Sequence, residues 1–182
     1  MLTVAEYASL GEFECGYTEL CEGRVVISPN PAVEHNVVLG RLASQLHSQL
    51  PGRLIVVHGL DIDLELAPPA GPGFSRRPDL VVLDAAALQR VKGGGGMIRA
   101  SEVRVVIEVV SPDSHCTDYV VKRAEYADAG IPRYWVVDPV EPISLVDCHL
   151  AGEFGYRDAS AVTGTFVTTV PCPITLKVDE LS

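Results

Sequence analysis

The sequence predicts a mixed α/β fold: a mixed central β-sheet flanked by helices, with an extra hairpin near the N-terminus and additional strands at the C-terminal end. Three observations predict it. Apolar strand-like runs alternate with helical stretches in the middle of the chain, as in "DLVVLD", "EVRVVIEVVS" and "RYWVVD". "YTELCEGRVVIS" reads as two alternating runs folded about Glu22-Gly23. After Pro139 only strand-like runs follow: "ISLVDCHL", "FGYRD", "GTFVTTV" and "ITLKV".

The elements can be justified in order. Thr3 and Glu6 stand at capping-box spacing and open a short helix. In the hairpin, Tyr17, Glu19 and Cys21 alternate with Thr18 and Leu20. The clearest helix begins where Asn30 can cap it and Pro31 fits its first position, and Pro51-Gly52 ends it. Leu39, Leu42, Leu46 and Leu50 recur at helical spacing as a buried stripe. "RLIVVHGLDIDLELAPP" is a strand or two, with Asp61, Asp63 and Glu65 alternating against Ile62, Leu64 and Leu66. "PPAGPGFSRRP" is a loop by composition, "AAALQRV" a short helix and "KGGGG" a flexible connector. A helix follows "EVRVVIEVVS" and stops at Gly130, before Ile131-Pro132.

Bulk properties narrow the function classes. The 182 residues suit one domain, residues 1–182, with no repeat and no dividing linker. A hydrophobic content of 47% excludes a disordered chain. No apolar run approaches the ~20 residues that span a bilayer, and the first residues lack the basic start and apolar middle of a signal peptide. A cytoplasmic protein with no membrane partner is therefore expected. The five cysteines include no C-x-x-C pair, so reduced thiols are expected rather than a disulfide or a cysteine zinc site. The net charge of -10 argues against a general nucleic-acid coat. The balance is uneven: Arg76 to Arg123 carries +2 and the remainder -12.

Four residues break the pattern. Glu108 sits inside an otherwise apolar strand, where an ionised carboxylate costs several kcal/mol unless compensated. Asp79 follows Pro78 and begins the strand "DLVVL". Lys122 lies on the helix after the Glu108 strand, and Glu34 in the first turn of the early helix. If the Asp79 and Glu108 strands are neighbours, both acids can point to one side. A divalent cation such as Mg²⁺ would relieve their repulsion, since it commonly takes one or two carboxylates with water and phosphate. A nearby lysine would then balance developing charge or orient a water. Each residue also has a plainer role. Asp118 and Lys122 can form an i, i+4 surface pair, and Lys122 can neutralise Glu108 as a structural salt bridge. Asp79 can be a turn residue after proline, and Glu34 can favour the positive end of its helix.

These residues lie in blocks that carry a family resemblance. "YTELCEGRVVISPNPAVEH", "RPDLVVL" and above all "VVIEVVSPDSHCTDYVVKRAEYADAGIPRYWVVDP" resemble the Uma-type restriction endonuclease family, within the PD-(D/E)XK nuclease superfamily. The resemblance runs from about Leu2 to Leu181. It implies a restriction-endonuclease-like core and metal-dependent phosphodiester hydrolysis of nucleic acid, with DNA the expected substrate. Asp79 would be the metal-binding aspartate, Glu108 the second acidic ligand, and Glu34 the helix glutamate that joins the site. The superfamily lysine usually lies two residues past the acid, where this chain has Val110; in this family it is displaced to the following helix, which matches Lys122. The cofactor implied is Mg²⁺ or Mn²⁺, and two-strand cleavage suggests a homodimer. Arg76 and Arg77 precede the metal strand and are candidates for backbone phosphates or for a solvated loop.

Other signals carry less. "KGGGGM" lacks the Gly-Lys-Ser/Thr of a phosphate loop. The five histidines show no metal-ligand spacing; His35 follows Glu34 and could face the site, though packing is the default. His115 and Cys116 fall near Ser111 and Asp113, a weak setting for a cysteine nucleophile. Against a Mg²⁺-dependent endonuclease stands one rival class, a non-catalytic nucleic-acid or protein binding module that retains the nuclease fold. A hydrolase acting on another substrate is a third, because fold does not fix substrate.

Overall fold

The structure is a computed structural model that describes residues 1–11, 16–28, 31–111 and 117–182. Among the described residues thirteen strands and four α-helices follow one another. The first part holds α1 (Val4–Ala8), β1 (Tyr17–Cys21), β2 (Arg24–Ser28), α2 (Val33–His47), β3 (Leu54–His58), β4 (Ile62–Asp63), β5 (Ser75–Arg76) and β6 (Leu80–Asp84). Then come α3 (Ala85–Lys92), β7 (Ile98–Arg99), β8 (Val103–Val109), a π-helical segment Thr117–Lys122 that runs into α4 (Arg123–Asp128), and β9 (Arg133–Asp138). The end of the chain adds β10 (Ser144–Leu150), β11 (Tyr156–Asp158), β12 (Thr165–Thr168) and β13 (Ile174–Lys177).

A six-stranded mixed sheet of order β11-β10-β9-β8-β6-β3 forms the centre. The β8–β9 pair is parallel; the others are antiparallel. A second sheet, β2-β1-β5-β4-β7, lies alongside, and β12-β13 form a hairpin. Two apolar cores occupy the two faces of the central sheet. On one face Leu80, Val82, Val105, Ile107 and Trp135 pack with Leu42 and Leu46 of α2 and with Leu176 of β13. On the other, Val81, Leu83, Val106, Tyr134 and Val136 pack with Tyr126 of α4 and Ile62 of β4. This is the period-two alternation of a strand buried on both sides. Each fully buried Val or Leu contributes about 1.5–3 kcal/mol, which explains why these strands form the centre.

Local chemistry fixes the ends of the elements. At α1 the Thr3 hydroxyl accepts from the Glu6 N–H at 3.2 Å, and the Glu6 carboxylate accepts from the Thr3 N–H at 2.8 Å. The β1–β2 turn puts Glu22 and Gly23 at φ of 49° and 72°, the primed geometry that matches strand twist. Gly73 allows α1 to approach, because a Cβ there would sit 2.6 Å from the Val4 nitrogen.

The structure departs from the sequence reading at several boundaries. Helix α2 starts at Val33 with Ala32 as an N-cap lacking a side-chain bond, so Pro31 lies before the helix rather than at its first position. The expected cap, Asn30, is outside the described residues, as are Asp113, His115 and Cys116. The alternating run 61–66 pairs only at Ile62–Asp63, since Glu65 adopts φ of 56° and its N–H donates to the Asp63 carboxylate. The loop expected over 68–78 contains the short strand β5. Two-residue strands are too short to display a period, so composition alone could not reveal them.

Candidate active site

The site forms where β6 and β8 meet at one end of the central sheet. Leu80 faces Ile107 across the antiparallel pair. One step further along each strand brings Asp79 beside Glu108. The alternation sends both side chains to the face that carries Val81, Val106 and Tyr126. The Asp79 N–H donates to Glu108 Oε2 at 3.4 Å, and the Val109 N–H donates to Asp79 Oδ2 at 2.7 Å. The Asp79 carbonyl accepts from the Gly59 N–H at 3.1 Å, which ties this corner to the end of β3.

Glu108 is 2% exposed, and α4 with its π-helical lead supplies the partners. Lys122 Nζ donates to Glu108 Oε1 at 2.9 Å, and the Tyr126 hydroxyl donates to the same oxygen at 2.8 Å. Lys122 and Tyr126 are four residues apart and so share one helix face. Lys122 Nζ also lies 3.2 Å from Asp118 Oδ1 and 3.8 Å from Glu19 Oε1. The Asp118–Lys122 pair expected at the surface is therefore buried, with Lys122 only 12% exposed.

Glu19 and Arg76 extend the network. Arg76 Nη1 donates to Glu19 Oε2 at 2.7 Å, while its Nε and Nη2 reach the Glu125 carboxylate at 2.6 and 2.8 Å. Arg76 is buried, and all three of its guanidinium nitrogens donate to the Glu19 and Glu125 carboxylates, a setting unlike the solvated loop or phosphate contact that the sequence reading offered. Arg77 is half-buried, holds Asp61 through two bonds of 2.7 Å and lies 5.4 Å from the Tyr17 ring centre. Glu34 is exposed on the first turn of α2 and joins none of these contacts. Its neighbour His35 does: it is buried, and its Nε2 lies 3.0 Å from Asp79 Oδ2.

Among the described residues five carboxylates (Glu19, Asp79, Glu108, Asp118 and Glu125) thus meet two permanent cations, Arg76 and Lys122. The excess of negative charge has consequences. Burial pushes the Glu108 carboxyl up to about 8; Lys122 opposes that shift, while Asp79 and Asp118 add to it. For Lys122, burial acts to lower the value, but Glu108, Glu19 and Asp118 override it, so the ammonium is held well above its ordinary range. Burial likewise works against a charged His35, yet its bond to Asp79 and the Asp79 charge raise it overall. Tyr126 is raised by burial and by Glu108, and remains a phenol that donates.

The unengaged oxygens decide whether a cation fits. Asp79 Oδ2 carries both hydrogen bonds of its carboxylate, so among the described residues no donor reaches Oδ1. Among the described residues Glu108 Oε1 takes two donors, while Oε2 has only the long bond from Asp79. Asp79 is 23% exposed, so solvent can reach this corner. Among the described residues no group of three or more metal-capable side chains is assembled. The donor set is two carboxylates with one open oxygen each, which fits a hard divalent ion that keeps most of its waters and does not fit a site of the zinc type.

The structure brings together Asp79, Glu108 and Lys122; sequence reasoning placed Asp118 beside Lys122 only as a surface pair, left His35 with packing as its default, and missed Glu19 and Tyr126 as neighbours. Glu19 looked like one position of an alternating hairpin strand. Its burial comes from Arg76, 57 positions away, which no local pattern exposes. The spacing of Tyr126 from Lys122 was the one signal available.

Comparison with known proteins identifies a family and a shared fold. Residues 4–170 match the Uma2 family, described as "putative restriction endonuclease". A solved structure described as a putative nuclease belonging to DUF820, from Anabaena variabilis ATCC 29413, shares the fold with a TM-score of 0.72 at 20% identity, covering 100% of this chain and 97% of that one. No curated protein matches.

Proposed function

The chain belongs to the Uma2 family of putative restriction endonucleases, and from that premise we propose that it is a divalent-metal-dependent endonuclease cleaving phosphodiester bonds of nucleic acid, DNA in the first instance. The observation that carries the reading is the pair of open carboxylate oxygens, Asp79 Oδ1 and Glu108 Oε2, on one face at one strand end. Asp79 and Glu108 would hold Mg²⁺ or Mn²⁺. When bound, such an ion lowers the pKa of a water and offsets charge on the phosphorus centre.

The chain's own groups do the rest. Lys122 Nζ and the Tyr126 hydroxyl fix Glu108 Oε1, which leaves Oε2 turned toward Asp79. Lys122 keeps its proton and supplies positive charge beside the reacting phosphate. Arg77, at the rim, is the candidate for a backbone phosphate if Asp61 releases it. Glu34, exposed on α2, has no direct contact with the reacting atoms in this scheme. Cleavage of both strands would suit a homodimer, which sedimentation would detect.

The test is cleavage of supercoiled plasmid, single-stranded DNA and RNA with Mg²⁺ or Mn²⁺, each repeated with EDTA. Metal-dependent cleavage that is lost in Asp79→Ala supports the reading. Equal cleavage by Asp79→Ala overturns it. The Lys122–Glu108 bond favours a second reading, a binding module whose lysine simply neutralises a buried acid. That reading predicts nucleic-acid or protein binding without metal uptake, and lower stability after Glu108→Gln, which takes the charge partner from Lys122.

A further inference from the structure

We propose that His35 is a positioning residue for Asp79, holding the carboxylate so that Oδ1 alone faces the proposed metal; the inference rests on the metal-site reading above. Two donors converge on Asp79 Oδ2, the Val109 N–H at 2.7 Å and His35 Nε2 at 3.0 Å. Together they stop the carboxylate from rotating about its Cβ–Cγ bond. A carboxylate oxygen only accepts, so Nε2 carries the hydrogen. Val109 supplies main chain and fixes one direction. The imidazole supplies the second, and it is the only side chain among the described residues that does so.

The placement of His35 supports a role beyond packing. Helix α2 packs its Val38, Leu42 and Leu46 on the opposite face of the sheet from Glu108. His35, on the first turn of that helix, reaches around the sheet end to Asp79. The ring is 7% exposed, and its Nδ1 is buried with no hydrogen-bond partner among the described residues. An apolar side chain would fill that space without leaving a buried nitrogen unpaired. What the imidazole adds is the one bond to Asp79.

The test compares the parent with His35→Ala, His35→Gln and Asp79→Ala by Mn²⁺ titration in a calorimeter, after thermal melts establish that each variant is folded. The glutamine amide can place an N–H near the position of Nε2. The expected result is Mn²⁺ affinity about 10-fold or more weaker in His35→Ala, largely regained in His35→Gln. Ring-nitrogen NMR of the metal-free parent, recorded at a pH high enough that the ring is neutral, should show Nε2 protonated and Nδ1 bare. Parent-like affinity in folded His35→Ala, while Asp79→Ala has lost binding, overturns the role of His35 alone. So does a ring protonated at Nδ1 and bare at Nε2, a readout available even if His35→Ala does not fold. A parent that binds Mn²⁺ no better than Asp79→Ala overturns the metal site and this inference with it.

Discussion

Two buried acids on the same central sheet, Asp147 and Glu108, meet opposite fates. Asp147 on β10 faces Trp135 on β9, and its Oδ1 accepts the indole N–H at 2.9 Å. Its Oδ2 accepts from Arg133 at 2.7 Å. Both oxygens are taken, and both partners come from the adjacent strand. Glu108 draws its partners from two segments, the helix that carries Lys122 and Tyr126 and the start of β6, yet among the described residues one of its oxygens is left with a single long bond. Each has one cation against it, Lys122 for Glu108 and Arg133 for Asp147, but Glu108 also lies beside a second carboxylate, Asp79. An acid closed by its neighbours stabilises a fold. An acid left open beside another acid costs stability, and it is available to a cation.

Substitutions should separate the two sites. Asp79→Ala is expected to reduce metal-dependent cleavage by ~10³-fold or more, several kcal/mol of transition-state stabilisation, measured as nicked plasmid per unit time. Lys122→Met should be the most destabilising change, by about 3–5 kcal/mol in denaturant melts, because it strands Glu108 among uncompensated carboxylates. Asp147→Asn should cost about 1–3 kcal/mol and leave the cleavage rate at the parent level. Loss of cleavage in folded Asp147→Asn would remove the distinction.

Acidity provides a finer probe. Glu108 is raised from the ordinary carboxylate range to about 8, so the folded protein holds that proton more tightly than the unfolded chain. Its contribution to stability is complete below about pH 4.5 and is lost as pH rises toward about 8. His35, raised as well, adds to the same trend. Metal-free melts should therefore show Glu108→Gln with a flatter pH profile than the parent between those limits. Mg²⁺ should raise the melting temperature more at pH 8.5 than at pH 6, because a proton on Glu108 competes with the ion. The smallest effect is expected for Glu34→Ala: within about 0.5 kcal/mol in stability and parent-like in rate.

Much of the scaffold was legible in the residues themselves. The apolar runs 80–84, 103–109 and 133–138 carry their own burial, and Glu22-Gly23 carries its turn. The out-of-place Glu108 exposed the site, because an acid amid valines needs a partner. What stayed hidden depends on distant segments. Arg76 looked free for phosphate until β1 and α4 each placed a glutamate against it. Glu34 rather than His35 drew attention because charge is visible in a sequence, whereas the side of a first helical turn that meets a sheet end is not. Asp118 read as a surface partner since its spacing to Lys122 is the same in either setting; burial came from the π-helical segment lying over the sheet.

The central claim is that Asp79 and Glu108 share one cation. A crystal soaked in Mn²⁺, with anomalous diffraction recorded, tests it most directly. The account predicts a single strong peak within coordinating distance of the Asp79 and Glu108 carboxylates, with Lys122 still on Glu108 Oε1. A Mn²⁺ peak elsewhere, with the two carboxylates undisturbed and no density between them, would contradict it.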